Sequence, residues 1–247
     1  MAIFSDEGFV LTVRAYSDTS LIVTFLTPGR GKVCTMAKGA RAAKSRYGAS
    51  LEPATRVEFE WSERARAEMG TLRGCETLKV YRRLWNDYEA MTLAGRLLKR
   101  MDHLSGPHES LTDLYALLLA AIEAVDGGAD LESIEGIFLV MLLGRMGLAP
   151  GLRYCAECDK VPGGESAAFE LTQGELRCRS CRRGARQGVR LRAGSVATMR
   201  EALSLPLKKM DSIKILPSLQ GEVIRAGEAF LAYHAGVPAL ISRETSR

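Results

Sequence analysis

The stretch Leu21-Ile-Val-Thr-Phe-Leu-Thr-Pro-Gly-Arg-Gly-Lys-Val-Cys-Thr-Met-Ala37 decides the fold of the first third of the chain. Leu21, Val23 and Phe25 fall on every second position, as do Val33, Thr35 and Ala37, and Pro28-Gly29-Arg30-Gly31 supplies a turn between them. A period of two puts each set on one face of a strand, and two such runs around a Pro-Gly turn read as a hairpin. The pattern extends both ways: Phe9, Leu11, Val13 and Ala15 precede it, Val57, Phe59 and Trp61 follow, and a last run spans Met69 to Val80. Five short strands between about residues 8 and 80 suit a small closed barrel. The interruption Ala40 to Pro53 is where an OB-fold often carries its helix, and an SH3-like barrel is the competing topology.

Beyond residue 80 the apolar spacing changes to three and four. Tyr88, Met91, Leu93, Leu97, Leu98 and Met101 form one helical stripe, ended by Ser105-Gly106-Pro107. Leu114 to Val125 forms a second and Leu131 to Met146 a third, with Gly147 as its C-terminal cap. Helical patterns return at Ser195–Leu203 and Ser218–His234. The expected class is multidomain α+β. Residues 1–80 make an OB-fold nucleic-acid-binding barrel, 81–150 and 191–247 an α-helical bundle, and 151–190 an inserted four-Cys zinc module.

That module rests on Cys155-Ala-Glu-Cys158 and Cys178-Arg-Ser-Cys181. A C-x2-C turn presents two thiolates to one point, so Cys155, Cys158, Cys178 and Cys181 close a tetrahedral sphere around Zn2+. Four sulfur ligands leave no position for water or substrate, which makes the expected zinc structural. Cys34 and Cys75 lie in strand-like runs and read as small buried hydrophobes.

The chain has 247 residues, 34 Lys and Arg against 29 Asp and Glu, and a formal charge of +5. The longest apolar run, Ile137 to Leu143, is too short to cross a bilayer, and the first residues lack the pattern of a secretory signal. A cytoplasmic setting and no membrane partner are therefore expected. More telling is where the charge lies. From Pro28 to Ser50 the chain carries Arg30, Lys32, Lys38, Arg41, Lys44 and Arg46 with no acid, interleaved with glycines. A self-repelling surface of this kind is relieved by a polyanion, and on an OB-like barrel it adjoins the strand-binding face. Tyr47 is the aromatic in this run placed to stack on bases, since Phe25, Phe59 and Trp61 share the alternation of core residues. A second basic patch, with Arg177, Arg179, Arg182, Arg183 and Arg186, continues to Arg190 and Arg192. Either it holds phosphate or its arginines pair with Glu157, Asp159 and Glu165 of the same module.

Catalytic patterns are missing. Gly31-Lys32 has Leu26 where a P-loop needs its first glycine and Val33 where it needs a hydroxyl. No G-x-G-x-x-G follows a strand, no H-E-x-x-H or G-x-S-x-G occurs, and His103, His108 and His234 are scattered. No enzyme is expected. Two readings remain, a nucleic-acid binder and a non-enzymatic interaction scaffold whose basic faces dock acidic partner tails.

The segment Gly31-Lys-Val-Cys-Thr-Met-Ala-Lys-Gly-Ala-Arg-Ala-Ala-Lys-Ser-Arg46 followed by Leu51-Glu-Pro53, the order barrel, bundle and late four-Cys module, and the tail Phe230-Leu-Ala-Tyr-His-Ala-Gly-Val237 leading to Ser242 resemble the RecO family of bacterial DNA repair proteins. The resemblance covers nearly the whole chain. It implies a recombination mediator of the RecF pathway that binds single- and double-stranded DNA and anneals complementary strands. With RecR, such proteins help load RecA onto DNA coated by single-strand-binding protein, whose acidic tail is a further contact. By the same resemblance Lys38, Arg41, Lys44 and Arg46 fall in the DNA-binding barrel.

Overall fold

A computed structural model describes residues 2–63, 69–107, 109–162, 166–181 and 188–240. The chain divides into two compact units, Met1–Ile122 and Glu123–Arg247. The first unit begins with five strands, β1 (Ala2–Ala15), β2 (Leu21–Thr27), β3 (Gly31–Ala37), β4 (Arg56–Glu63) and β5 (Gly70–Lys79). They close in the order β1-β2-β3-β5-β4, an OB-like barrel. Closure depends on β1, whose first half pairs antiparallel with β4 and whose second half pairs with β2, and on a short parallel contact of β3 with β5 at Thr35↔Gly70 and Met36↔Thr71.

Inside the barrel Val10, Val23, Phe25, Val33, Val57, Phe59, Trp61 and Leu72 are packed together. Phe25 stacks on Phe59 at 3.9 Å and Phe59 on Trp61 at 4.8 Å between ring centroids. Burying side chains of this size contributes roughly 1.5–3 kcal/mol each. The alternation expected for β1 is broken by a register shift between Val10 and Thr12. Val10, not Phe9 or Leu11, joins the barrel core. Phe9 instead meets Tyr81 at 6.1 Å and Tyr115 at 5.6 Å outside it. Period-two reading presumes one wet face, and here one face of β1 packs into the barrel while Tyr81 and Tyr115 cover the other.

The helices of this unit are α1 (Arg82–Asn86), α2 (Tyr88–Leu104) and the greater part of α3 (Thr112–Asp126). Asp87 caps α2 by accepting the N–H groups of Glu89 and Ala90 at 3.0 and 3.2 Å. Between α2 and α3 the chain returns to the β2–β3 turn: the Lys32 N–H donates to the Gly106 carbonyl and the Leu111 N–H to the Pro28 carbonyl. Gly31 at φ +65° permits this approach, because a Cβ there would collide with the Gly106 carbonyl. Where an OB-fold helix was expected, between Ala40 and Pro53, there are tight turns and a single 3-10 turn, Gly48–Leu51. Gly39 and Gly48 both take positive φ there, which interrupts any helix.

The second unit contains α4 (Leu131–Arg145), then β6 (Gly151–Cys155), β7 (Ser166–Glu170), β8 (Glu175–Arg177), β9 (Gly188–Arg192), α5 (Ala193–Ser204) and α6 (Pro217–Ala235). α4 is capped by Asp130, buried from Ser133 to Leu143, and packs on α5 and α6. The small sheet has the order β6-β8-β7-β9. It rests on α6 through an edge contact of Phe169 with Phe230 at 5.3 Å. Gly174, at φ +69° in the β7–β8 turn, lies so close to Phe230 that a Cβ would sit 2.6 Å from the ring. Helices expected to form one bundle from 81–150 and 191–247 are thus apportioned to different units, with the boundary inside α3. Among the described residues no helix is long and apolar enough to cross a membrane.

Candidate nucleic-acid interface and four-cysteine centre

Strand register divides the basic segment in two. β2 and β3 pair from Thr27↔Gly31 at the turn to Leu21↔Ala37 at the far end, about 20 Å away for seven-residue strands. Arg30 and Lys32 lie at the turn end, and Lys38, Arg41 and Lys44 follow the far end. The expectation that all six cations share one surface is therefore corrected.

At the turn end both cations are engaged. Lys32 Nζ donates to the Asp102 carbonyl at 2.8 Å and lies 3.2 Å from its Oδ1, so this lysine joins β3 to α2. The Arg30 guanidinium lies over the Phe4 ring at 4.5 Å and the Trp61 ring at 5.9 Å. Near it the Asp6 carboxyl is raised above its ordinary pKa by burial, against the lowering effects of the Glu7 N–H and Arg30.

At the far end the chain from Gly39 to Ser45 runs through successive turns, Ala42 N–H to the Gly39 carbonyl and Ser45 N–H to the Ala42 carbonyl. These turns are fastened to the β1–β2 turn, because the Arg41 N–H donates to the Thr19 carbonyl at 3.0 Å and its Nη1 to the Ser17 carbonyl at 2.9 Å. Lys38, Arg41 and Lys44 are exposed, and none has an ion pair among the described residues. Ala15 of β1 pairs with Leu21, which pairs with Ala37. That row brings Arg14 and Tyr16 to the same end of the barrel as Lys38, and both are exposed, Tyr16 at 57%. Sequence reading missed these two. The aromatic beside the Ser17-Asp18 turn was the available signal, since OB-like barrels use that loop for strands.

Tyr47 is not a stacking residue. It is 3% exposed, belongs to the barrel core, and its hydroxyl donates to the Leu72 carbonyl at 3.2 Å. Arg46 donates to the same hydroxyl and lies over the ring at 5.0 Å. An amphipathic ring beside a small barrel gains more from burial with its hydroxyl satisfied than from waiting in water for a base.

The second arginine patch is also divided. Arg177 lies between Glu157 and Glu170, both at 2.6 Å, and is committed to ion pairs rather than to phosphate. Arg192 pairs with Glu222 at 2.6 Å. Arg179 is exposed, while Arg182, Arg183, Arg186 and Glu165 lie outside the described residues.

The four cysteines do converge. The sulfurs of Cys155, Cys158, Cys178 and Cys181 lie within 4.8 Å of one another, with Cys158 and Cys178 at 3.9 Å. A tetrahedron with Zn–S bonds of ~2.3 Å has edges of about 3.8 Å. β6 delivers Cys155 and β8 leads into Cys178. The two turns are held by Asp159 N–H to the Cys155 carbonyl, Cys181 N–H to the Cys178 carbonyl, and Ala156 N–H to the Leu176 carbonyl. Burial works against ionisation of Cys155, yet the N–H groups of Cys178, Glu157 and Cys158 bring its thiol down to about 6. Cys181 is pushed up to about 12 by its hydrogen bond with Cys178 and by burial. Clustered thiols that cannot all ionise unaided are the donor set a divalent soft cation stabilises.

Comparison with known proteins agrees with this architecture. The family model described as Recombination protein O N terminal matches residues 1–81, and Recombination protein O C terminal matches residues 86–244. A DNA repair protein RecO of Anaeromyxobacter sp. (strain K) is 30% identical over 93% of this chain and 90% of its own length. Another RecO, from Rubrobacter xylanophilus, is 31% identical over 96% of this chain and 98% of its own.

Proposed function

The chain belongs to the recombination protein O (RecO) family of DNA repair proteins, and from that premise we propose that it is a DNA-binding recombination mediator acting without a catalytic group. It binds single- and double-stranded DNA, anneals complementary strands in the cytoplasm, and helps RecR load RecA onto DNA coated by single-strand-binding protein. The tail of that coating protein is a further proposed partner.

One observation carries this reading: the hydrogen bonds from Arg41 to Ser17 and Thr19 hold the basic turns against the β1–β2 loop. Cations so placed neutralise phosphates and release counterions, and Tyr16 offers a ring face to an unpaired base. Annealing then needs only that two strands repel less while base pairing supplies the driving force. In this reading Cys155, Cys158, Cys178 and Cys181 hold a zinc ion that fixes the 151–192 sheet and does no chemistry.

The test is a salt series of oligonucleotide binding and annealing with Lys38→Glu, Arg41→Glu and Lys44→Glu combined. If these residues contact three phosphates, log K against log salt flattens by about 2 on single strands. An unchanged slope at unchanged affinity removes them from the interface.

A further inference from the structure

Three concavities of about 840, 120 and 620 Å³ on the second unit run into one another. Leu152, Arg153 and Arg200 border the first and the second, and Ser166 and Ala193 border the second and the third. Together they form a continuous groove along one face of α5, from the cysteine cluster to the start of α6. The α5 residues in it, Ala193, Val196, Ala197, Arg200 and Leu203, follow helical spacing, and the small ones keep the floor open.

Among the described residues five arginines line the groove, Arg153, Arg190, Arg192, Arg200 and Arg225. The second and third concavities contain one acid among the described residues, Glu222, and it is spent on Arg192 and the Ser195 hydroxyl. Asp159 and Glu175 border only the end beside the cysteines. Arg153, Arg190, Arg200 and Arg225 are exposed and have no ion pair among the described residues. At the cysteine end Tyr154 is 48% exposed, with the Arg153 guanidinium 5.5 Å from its ring centre.

From this the geometry points to a second strand-binding site, in which the groove takes the backbone of single-stranded nucleic acid and Tyr154 stacks on a base. Residues 193–203 of α5 span about 15 Å. That length matches roughly four successive phosphates at the ~3.4 Å axial spacing of a stacked strand. Of the four arginines without an ion pair, Arg190 also donates to the Ser166 hydroxyl at 3.1 Å. Guanidinium forks suit phosphate oxygens, and an exposed ring at one end favours a nucleic acid over an acidic peptide, which offers no bases to stack. The inference rests on the proposed strand-handling function and extends it: barrel and groove each hold a strand, so one chain engages and neutralises two strands at once.

The full-length protein distinguishes the sites. Fluorescein-labelled oligo-dT is titrated against the parent, against Arg153→Gln/Arg200→Gln/Arg225→Gln, and against Lys38→Gln/Arg41→Gln/Lys44→Gln across a salt series. Annealing is measured in parallel, and poly-glutamate serves as the acidic-peptide control. The groove variant is expected to flatten the salt slope by about 2 and to lose most annealing, with an unchanged circular dichroism spectrum. A bromodeoxyuridine cross-link to the peptide containing Tyr154 is expected in the parent and in the barrel variant. Loss of binding in the groove variant alone supports the groove and overturns the barrel reading. Parental slope, annealing and cross-linking in the groove variant overturn the groove, as does a loss confined to poly-glutamate.

Discussion

Lys32 on β3 is bound to Asp102 on α2, its Nζ 2.8 Å from the main-chain carbonyl and 3.2 Å from the carboxylate. Both side chains are about three-quarters buried. A lysine so held stabilises the unit and is withdrawn from any polyanion. Lys32→Ala is expected to cost about 1–2 kcal/mol of stability by denaturant unfolding and to leave oligonucleotide affinity within about twofold. A large affinity loss at unchanged stability would return Lys32 to the interface.

Tyr16, at 57% exposure, and not the buried Tyr47, is the aromatic available to a base at the basic end of the barrel. Tyr47→Ala is expected to lose about 3–5 kcal/mol of stability because it empties a core position. Tyr16→Ala leaves the melting temperature unchanged and weakens single-strand binding by about 1–3 kcal/mol if one base stacks there. Thermal melts and equilibrium titrations of both variants separate the cases.

Metal content checks the cysteine centre. Native mass spectrometry is expected to find one zinc per chain, absent after Cys158→Ser. Chelation should speed hydrogen exchange of the 151–192 sheet while the barrel strands keep their protection. Exchange that is indifferent to chelation would separate the cluster from the sheet's stability.

Acid should act on the start of α2. The Ala90 N–H, then the Arg83 guanidinium and the Glu89 N–H, hold the Asp87 carboxyl below its ordinary pKa of 3.8. A carboxyl depressed in the folded state contributes stability above its unfolded pKa and loses it as pH falls through the folded value. Asp87→Ala is therefore expected to lower the melting temperature near neutral pH and to match the parent well below pH 3.8. A difference that persists unchanged in acid would mean that Asp87 acts through something other than its charge.

Local pattern alone determined much of this protein. The β2–β3 hairpin, the capped helices and the two C-x2-C turns are legible because each depends on neighbours a few residues away. The basic run was legible too, but its partition was not. Lys32 finds Asp102 seventy positions on. Pairing of Arg177 with Glu157 was one of two open readings, and the structure adds Glu170 across the β7–β8 turn. Tyr47 was misread because nothing local says that its ring closes the barrel and its hydroxyl reaches Leu72. Phe9 was turned outward by one bulge and the helical residues laid against it. Sequence fixes which side chains are charged or apolar at each step along the chain. Only the tertiary structure decides which charges are neutralised and which stay free, because Coulomb attraction and burial act through space and take no account of separation along the chain.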